Sequence, residues 1–299
     1  MGIHNGYKRD DVFICRDQSH GRFGYRVSAY HVLEEKCCYP DGCVRFIWKC
    51  KLLGKGGRCP KGYGHVGSNC TQCRHYDEEK IHRRPEVLIS DEQYARFRED
   101  CREFDEWMAA IADRPMEIGG EISAVCPHLI KRVDGPRSSL RLQGFLLRLC
   151  PAFVGLQGLE DPIYLSIGRH VQQRLRLCPG DRLEAEGWVR LDRGRLIGHH
   201  PRRFHVDERA GGVPLGWDQA LLDRVGAVPL PDQPERCLRC DRGVLVDIEG
   251  VNAAGPRPTR PHGRRRELVC LEGIARPLDC PFEALKALMD SEQAGGPAR

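Results

Sequence analysis

The chain has 299 residues, with 47 Lys and Arg against 42 Asp and Glu and sixteen cysteines. That length allows two or three modest domains with a real core, and a formal charge of +5 permits a polyanionic partner without requiring one. No apolar run is long enough to cross a bilayer, and Met1 to Arg22 lacks the apolar stretch of a secretory signal. The expectation is therefore a cytoplasmic protein with no membrane partner, whose thiols stay reduced and bind metal rather than form disulfides.

Residues 1–88 read as a cysteine-rich metal-binding module. They hold eight cysteines, seven glycines from Gly42 to Gly67, and little helical periodicity. Such a composition cannot fill an apolar core and needs pinning by metal. Cys43 to Cys50 is the clearest strand, and Gly54 to Gly57 reads as a turn. The pair Cys70-x2-Cys73 has the spacing that turns two thiolates toward one ion, so Cys50, Cys59, Cys70 and Cys73 form one candidate four-thiolate site. Cys15, Cys37, Cys38 and Cys43 are a second candidate set, with His20 or His75 as a substitute ligand. Neighbours in an extended strand point to opposite sides, so one of Cys37 and Cys38 is expected to be spare. Zinc is the metal expected here, and a [4Fe-4S] cluster is the alternative, although the ferredoxin run of closely spaced cysteines is absent.

Ser90-Asp-Glu-Gln93 is a capping box that opens a connecting helix over 89–113. Tyr94, Phe97, Cys101, Phe104, Met108 and Ile111 make its apolar stripe, which assigns Cys101 to packing. Residues 114–207 read as short strands. Ile118, Gly120, Ile122 and Ala124 alternate, as do Leu140, Leu142, Gly144 and Leu146, then Ile163, Leu165 and Ile167. After a helical segment near Arg169 to Leu177, Leu183, Ala185, Gly187, Val189 and Leu191 form a fourth set. Gly194 to Ile197 and Arg203 to Val206 close the series. Cys126, Cys150 and Cys178 are expected to be small buried hydrophobes.

The run Pro179 to Val189, with its Gly180-Asp181 turn, followed by Gly194 to Ile197, resembles the later strands of OB-fold nucleic-acid-binding barrels. The resemblance spans residues 115–206 and implies a small closed barrel that binds single strands. With the aliphatic sets inward, alternation turns Arg141 and Phe145, then Tyr164, then Arg182, Trp188 and Arg190 outward. Aromatic rings stack on bases while guanidinium groups neutralise phosphate.

Residues 208–234 read as a Gly- and Pro-rich linker with a short helix from Trp217 to Val225, and 291–299 as a disordered tail. Between them, 235–290 carries Cys237-x2-Cys240, Cys270 and Cys280, a set of zinc-ribbon character, with His262 able to replace a ligand. Pro281 starts a helical run, and Arg257 to Arg266 holds six basic residues counting His262. The fold class expected is thus mainly β with a few helices: a central OB-like barrel flanked by two modules, each holding one zinc ion. No Walker loop, dinucleotide fingerprint or His-Glu-x-x-His run is present, so no catalytic residue is assigned. The functional expectation is a non-enzymatic nucleic-acid-binding protein. The alternatives are an iron–sulfur redox or sensor protein and a scaffold with a protein partner.

Overall fold

The computed structural model describes residues 2–23, 25–35, 37–134, 136–192, 194–230, 237, 240–250 and 265–281. The chain is mostly β and divides into two units: unit 2, Arg9–Tyr94, and unit 1, which joins Met1–Lys8 to Ala95–Arg299. No helix among the described residues is long and apolar enough to cross a membrane.

Unit 2 is built from short pieces. β1 (Phe13–Ile14) pairs with β2 (Arg26–Val27), and β3 (Cys43–Cys50) with β4 (Tyr76–Arg83) in a two-stranded ribbon of its own. β5 (Glu86–Val87) adds to β1. Its interior is small: Val12, Phe13, Cys15, Val27, Ala29, Val32 and Cys38 are buried. Phe13, Tyr39 and Tyr94 form a triangle of rings with centroids 5.4–6.2 Å apart. Their offset geometry adds modestly to the burial of three large side chains.

α1 (Asp91–Ile111) starts at the capping box. The Gln93 amide donates to Ser90 Oγ at 3.3 Å and the Ser90 amide to Gln93 Oε1 at 3.1 Å, so both orphan donors are satisfied. Phe97, Cys101, Phe104 and Ile111 are buried along one stripe, as the spacing predicts. Residues 2–8 belong to unit 1: the Ile3 amide donates to the Gly158 carbonyl, and the Tyr7 hydroxyl to Asp105 at 2.8 Å.

The rest of unit 1 is one large sheet. β6 (Met116–Asp134) and β7 (Arg137–Val154) make a long hairpin, followed by β8 (Gln157–Leu159), β9 (Ile163–Ile167) and α2 (Arg169–Leu175). β10 (Arg182–Asp192) and β11 (Arg195–Glu208) form the next hairpin; then come α3 (Trp217–Gly226), β12 (Val228–Pro229), β13 (Gly243–Gly250) and β14 (Arg265–Cys270). β6 pairs with both β7 and β10, β10 with β11, β11 with β9, and β9 with β7. Five strands therefore complete a circuit of hydrogen-bonded neighbours, in which the β9–β11 pair alone is parallel. Ile118, Ile122, Phe145, Leu147, Leu149, Ile163, Leu165, Leu183, Ala185 and Leu196 are buried on these strands.

A free-standing small barrel is not what forms. The circuit belongs to a nine-stranded sheet, because β6 is long enough to recruit a further strand. Its first residues pair with β10, and its far end, Ile130–Val133, pairs in parallel with Asp247–Gly250 of β13. Leu129, Val244, Val246, Val269 and Leu271 bury a second apolar cluster there, with Leu140 and Leu142 packed against it. The segment expected to be a linker also docks, since β12 pairs with β14 and Trp217 of α3 meets Phe145 edge-on at 6.0 Å.

The expected alternation of β7 breaks at Gln143 and again at Cys150–Pro151, and the first break matters here. His128 pairs with Gly144 but Leu129 with Leu142, so Gln143 is an extra residue, a β-bulge. The extra residue reverses the faces beyond it. Leu140 and Leu142 turn toward the second cluster, whereas Phe145, Leu147 and Leu149 are buried and Leu146 is only half-buried. Phe145 was expected outward, and the bulge puts it at 1% exposure. Gly144 is required beside it, since a Cβ there would lie 2.2 Å from the Ile167 carbonyl oxygen of β9. Two further expectations change. Gly194–Ile197 and Arg203–Val206 are parts of one strand, β11, bent where His200 and Arg203 adopt positive φ. Of the three barrel cysteines, Cys178 is buried and Cys126 half-buried, but Cys150 is exposed.

Candidate metal centre and binding surfaces

All sixteen cysteines are free thiols. Cys15, His20 and Cys43 bring their ligand atoms within 4.8 Å of one another and could hold a metal ion; no other such trio of Cys, His, Asp or Glu occurs among the described residues. Each is fixed by local backbone. The Cys15 amide donates to the Tyr25 carbonyl at 2.9 Å and the His20 amide to the Asp17 carbonyl at 2.9 Å, while Cys43 opens β3. The Cys15 and Cys43 sulfurs are 3.9 Å apart. Two zinc–sulfur bonds at a tetrahedral angle require about 3.8 Å, whereas a disulfide requires about 2 Å.

Cys38 adjoins this trio, with its thiol hydrogen-bonded to Cys43. Burial pushes both thiols up, and for Cys43 the neighbouring Cys38 and Cys15 sulfurs add to the effect. A cation would reverse that preference by stabilising every thiolate at once. Cys37 turns away, exposed at a positive φ with its thiol on the Glu34 carbonyl. Of the adjacent pair, Cys37 is the spare one. Behind His20, its Nε2 meets His31 Nε2 at 2.9 Å, and His31 Nδ1 meets Glu35 at 3.0 Å. A carboxylate–imidazole chain of this kind orients a metal-binding histidine.

The other expected ligands are positioned more loosely. Cys50 ends β3 opposite Tyr76, and the Cys70-x2-Cys73 turn leads into β4 through the Cys73 amide on the Cys70 carbonyl at 2.8 Å. Cys59 sits in the preceding turn, where its carbonyl accepts from Gly62. All four are half-buried. His75 lies beside Arg74, with its carbonyl accepting from the Lys51 amide. In unit 1, Cys240 lies just before β13, where the Arg242 amide donates to Cys240 Sγ at 3.4 Å and the Gly243 amide to the Cys240 carbonyl. A Cβ on Gly243 would fall 1.8 Å from the Cys237 carbonyl oxygen, so this turn needs glycine. Gly243 pairs with Cys270, which puts the turn and Cys270 at one end of the β13–β14 hairpin. Cys280 follows a short helical turn over Pro277–Asp279. His262, most of the basic run 257–266, the helix expected after Pro281 and the tail 291–299 lie outside the described residues.

The six expected nucleic-acid contacts fall in four places. Arg182, Trp188 and Arg190 share the outward face of β10, whose burial alternates as the sequence predicts. Trp188 carries the Arg202 guanidinium 5.2 Å from its ring centroid and the His200 ring edge-on, while Glu186 pairs with Arg202 and Arg203. Arg182 is ion-paired to Glu208 at 3.7 Å. Arg141 lies near the tip of the β6–β7 hairpin, where with Arg132 and Arg137 it lines an open cleft of about 560 Å³. Tyr164 is half-buried under the Arg195 guanidinium, 5.1 Å away, and Phe145 is in the core.

One surface went unforeseen. Val44, Phe46 and Trp48 of β3 are each 46–51% exposed and share a face with Lys80 and Glu78 of β4. Trp48 Nε1 and the Tyr76 hydroxyl both donate to Glu78. The signal was present as Val44, Phe46 and Trp48 at every second position, but spacing does not tell whether anything covers that face. Comparison with protein-family models, characterised proteins and solved structures returns no match for this chain.

Proposed function

We propose that this is a zinc-stabilised protein that binds single-stranded nucleic acid through an OB-like barrel. The observation that carries the reading is the five-strand circuit, β6-β7-β9-β11-β10, with its single parallel pair and with α2 between β9 and β10. That is the Greek-key order of OB barrels. The outward row Arg182, Trp188 and Arg190 supports it, since one ring between two cations suits one base between two phosphates. Zinc is supported by the mixed thiolate and imidazole donor set of Cys15, His20 and Cys43, with Cys38 as the fourth ligand. A second ion is expected at Cys237, Cys240 and Cys270, where Gly243 pairs with Cys270, although their sulfurs are not gathered as closely as the first set.

Filter binding of unphosphorylated single-stranded oligonucleotides across a salt series tests the reading. Affinity should fall log-linearly with salt; Trp188→Ala should cost about tenfold, and Arg190→Ala should lower the salt slope by about one. No binding at low salt, or binding without a salt slope, would defeat it. Metal analysis should find zinc in a colourless preparation; a brown protein with visible absorption would instead favour the iron–sulfur alternative. The exposed Val44–Phe46–Trp48 face favours a second reading, a protein partner on unit 2. Unchanged oligonucleotide affinity in Phe46→Ser would keep that face for a protein; a loss would give it to nucleic acid.

A further inference from the structure

A small recess of about 50 Å³ lies where the outward faces of β7, β9 and β11 meet the start of β13. Arg148, Tyr164, Arg195, Cys126 and Cys240 line it, with Leu146, Val244 and Leu245 as apolar wall. Arg195 is the anomaly. Its Nε is shielded from solvent and makes no hydrogen bond, and the guanidinium lies over the Tyr164 ring as its one close partner among the described residues. The two nearby carboxylates, Asp192 and Asp247, are both engaged by Arg266. Arg148 is tethered by Nε to Ser123 Oγ and by Nη2 to Asp241, which leaves its Nη1 without a partner. Burial, with Arg266 nearby, lowers Arg195 to about 10.

A guanidinium Nε shielded from water and without an acceptor is costly, and such a group is rarely kept unless something else supplies one. Carboxylates are already at hand for overall charge, so acceptor atoms are what the recess lacks. We propose that the recess binds one tetrahedral oxyanion, a phosphoryl group, held between Arg195 and Arg148 beside Tyr164. Planar guanidinium forks match phosphoryl oxygens bidentately, and a volume near 50 Å³ admits one such group but no continuous strand. The group is therefore a free phosphate or a chain-terminal one, never an internal backbone phosphate. This goes beyond the nucleic-acid reading and does not depend on it.

Calorimetry and thermal melting of the full chain test the proposal, with inorganic phosphate, a 5′-phosphorylated oligonucleotide and its 5′-hydroxyl twin as probes. Phosphate should bind saturably at one site and raise the melting temperature of the wild type. Arg195→Met should melt higher than wild type without phosphate, because the shielded Nε without an acceptor is gone, yet lose phosphate affinity by about tenfold or more. Arg148→Gln should lose affinity without the rise in melting temperature. Preference for the 5′-phosphorylated probe over free phosphate would assign the site to a strand terminus, and equal affinity to free phosphate; either supports the proposal. Wild type that binds neither phosphorylated probe, or Arg195→Met that binds them as wild type does, would overturn it. Failure here with intact binding of the 5′-hydroxyl oligonucleotide would leave the barrel reading standing.

Discussion

Unit 2 and unit 1 solve the same problem by different means. Unit 2 has short strands, a two-stranded ribbon with an exposed apolar face, and few buried aliphatic side chains. Unit 1 closes a circuit around Ile118, Leu147, Leu149, Leu165 and their neighbours, then buries a second cluster under β13 and β14. One unit gathers thiol and imidazole groups that could hold an ion; the other removes a large apolar area from water. The difference teaches where each is vulnerable. A two-stranded ribbon is not stable alone, so unit 2 should fail as a whole when its ion is withdrawn, whereas unit 1 should yield gradually to single changes.

The largest expected effect breaks this contrast at its strongest point. Cys43→Ser, or a chelator, should remove an ion whose binding is worth on the order of 10 kcal/mol in small zinc domains. Limited proteolysis should then cut within residues 9–94 while the sheet of unit 1 persists. Simultaneous loss of both units would show that unit 1 is not self-sufficient. Next comes Phe145→Ala, which truncates a fully buried ring packed against Trp217 and should cost about 3–5 kcal/mol in denaturant unfolding. A cost below about 1 kcal/mol would mean that the ring is not in the core.

The smallest effect sharpens the comparison through a polar group that unit 1 does bury. Asp181 is fully buried and accepts from the amides of Ala210 and Cys178, from the Cys178 thiol and from Arg209. Burial opposes its ionisation, but those donors outweigh it and hold the carboxyl below its ordinary range. Its stabilisation is thus present above an unfolded carboxyl value of about 4 and is lost as pH falls through the lower folded value. Asp181→Ala should cost about 2 kcal/mol at neutral pH, and the gap to wild type should narrow in acid melts below about pH 4. A gap that does not change with pH would rule out an ionised Asp181.

Much of the fold was legible because local rules agreed with each other. The Ser90–Gln93 box, the Phe97–Ile111 stripe and the alternation of 163–167 and 182–190 are read from neighbours a few residues apart, and each appears where expected. Phe145 was misplaced because an extra residue, Gln143, reverses the faces from there to Leu149, and no composition announces a bulge. The candidate metal cluster was legible in part: Cys15, Cys43 and His20 stood in the second candidate set, but only the fold shows that these three gather most tightly, across 28 residues without a motif. The longer reach of β6, which recruits β13, was equally hidden, because a parallel pairing leaves no hairpin turn to read.

The residues ahead of unit 2 carry a consequence for how the molecule is made. Residues 2–8 leave the ribosome before unit 2, but their partners come much later in the chain: Ile3 meets Gly158, Asn5 donates to the Gly194 carbonyl, and Lys8 pairs with Asp161. Unit 2 can emerge entire while unit 1 is still being translated. The earliest segment's contacts therefore form in stages, Tyr7 with Asp105 first, then Ile3 and Lys8 with Gly158 and Asp161, and Asn5 with Gly194 last. Synthesis order and assembly order differ at this end, which makes the leading segment a late stitch and one exposed to proteases in a nascent chain.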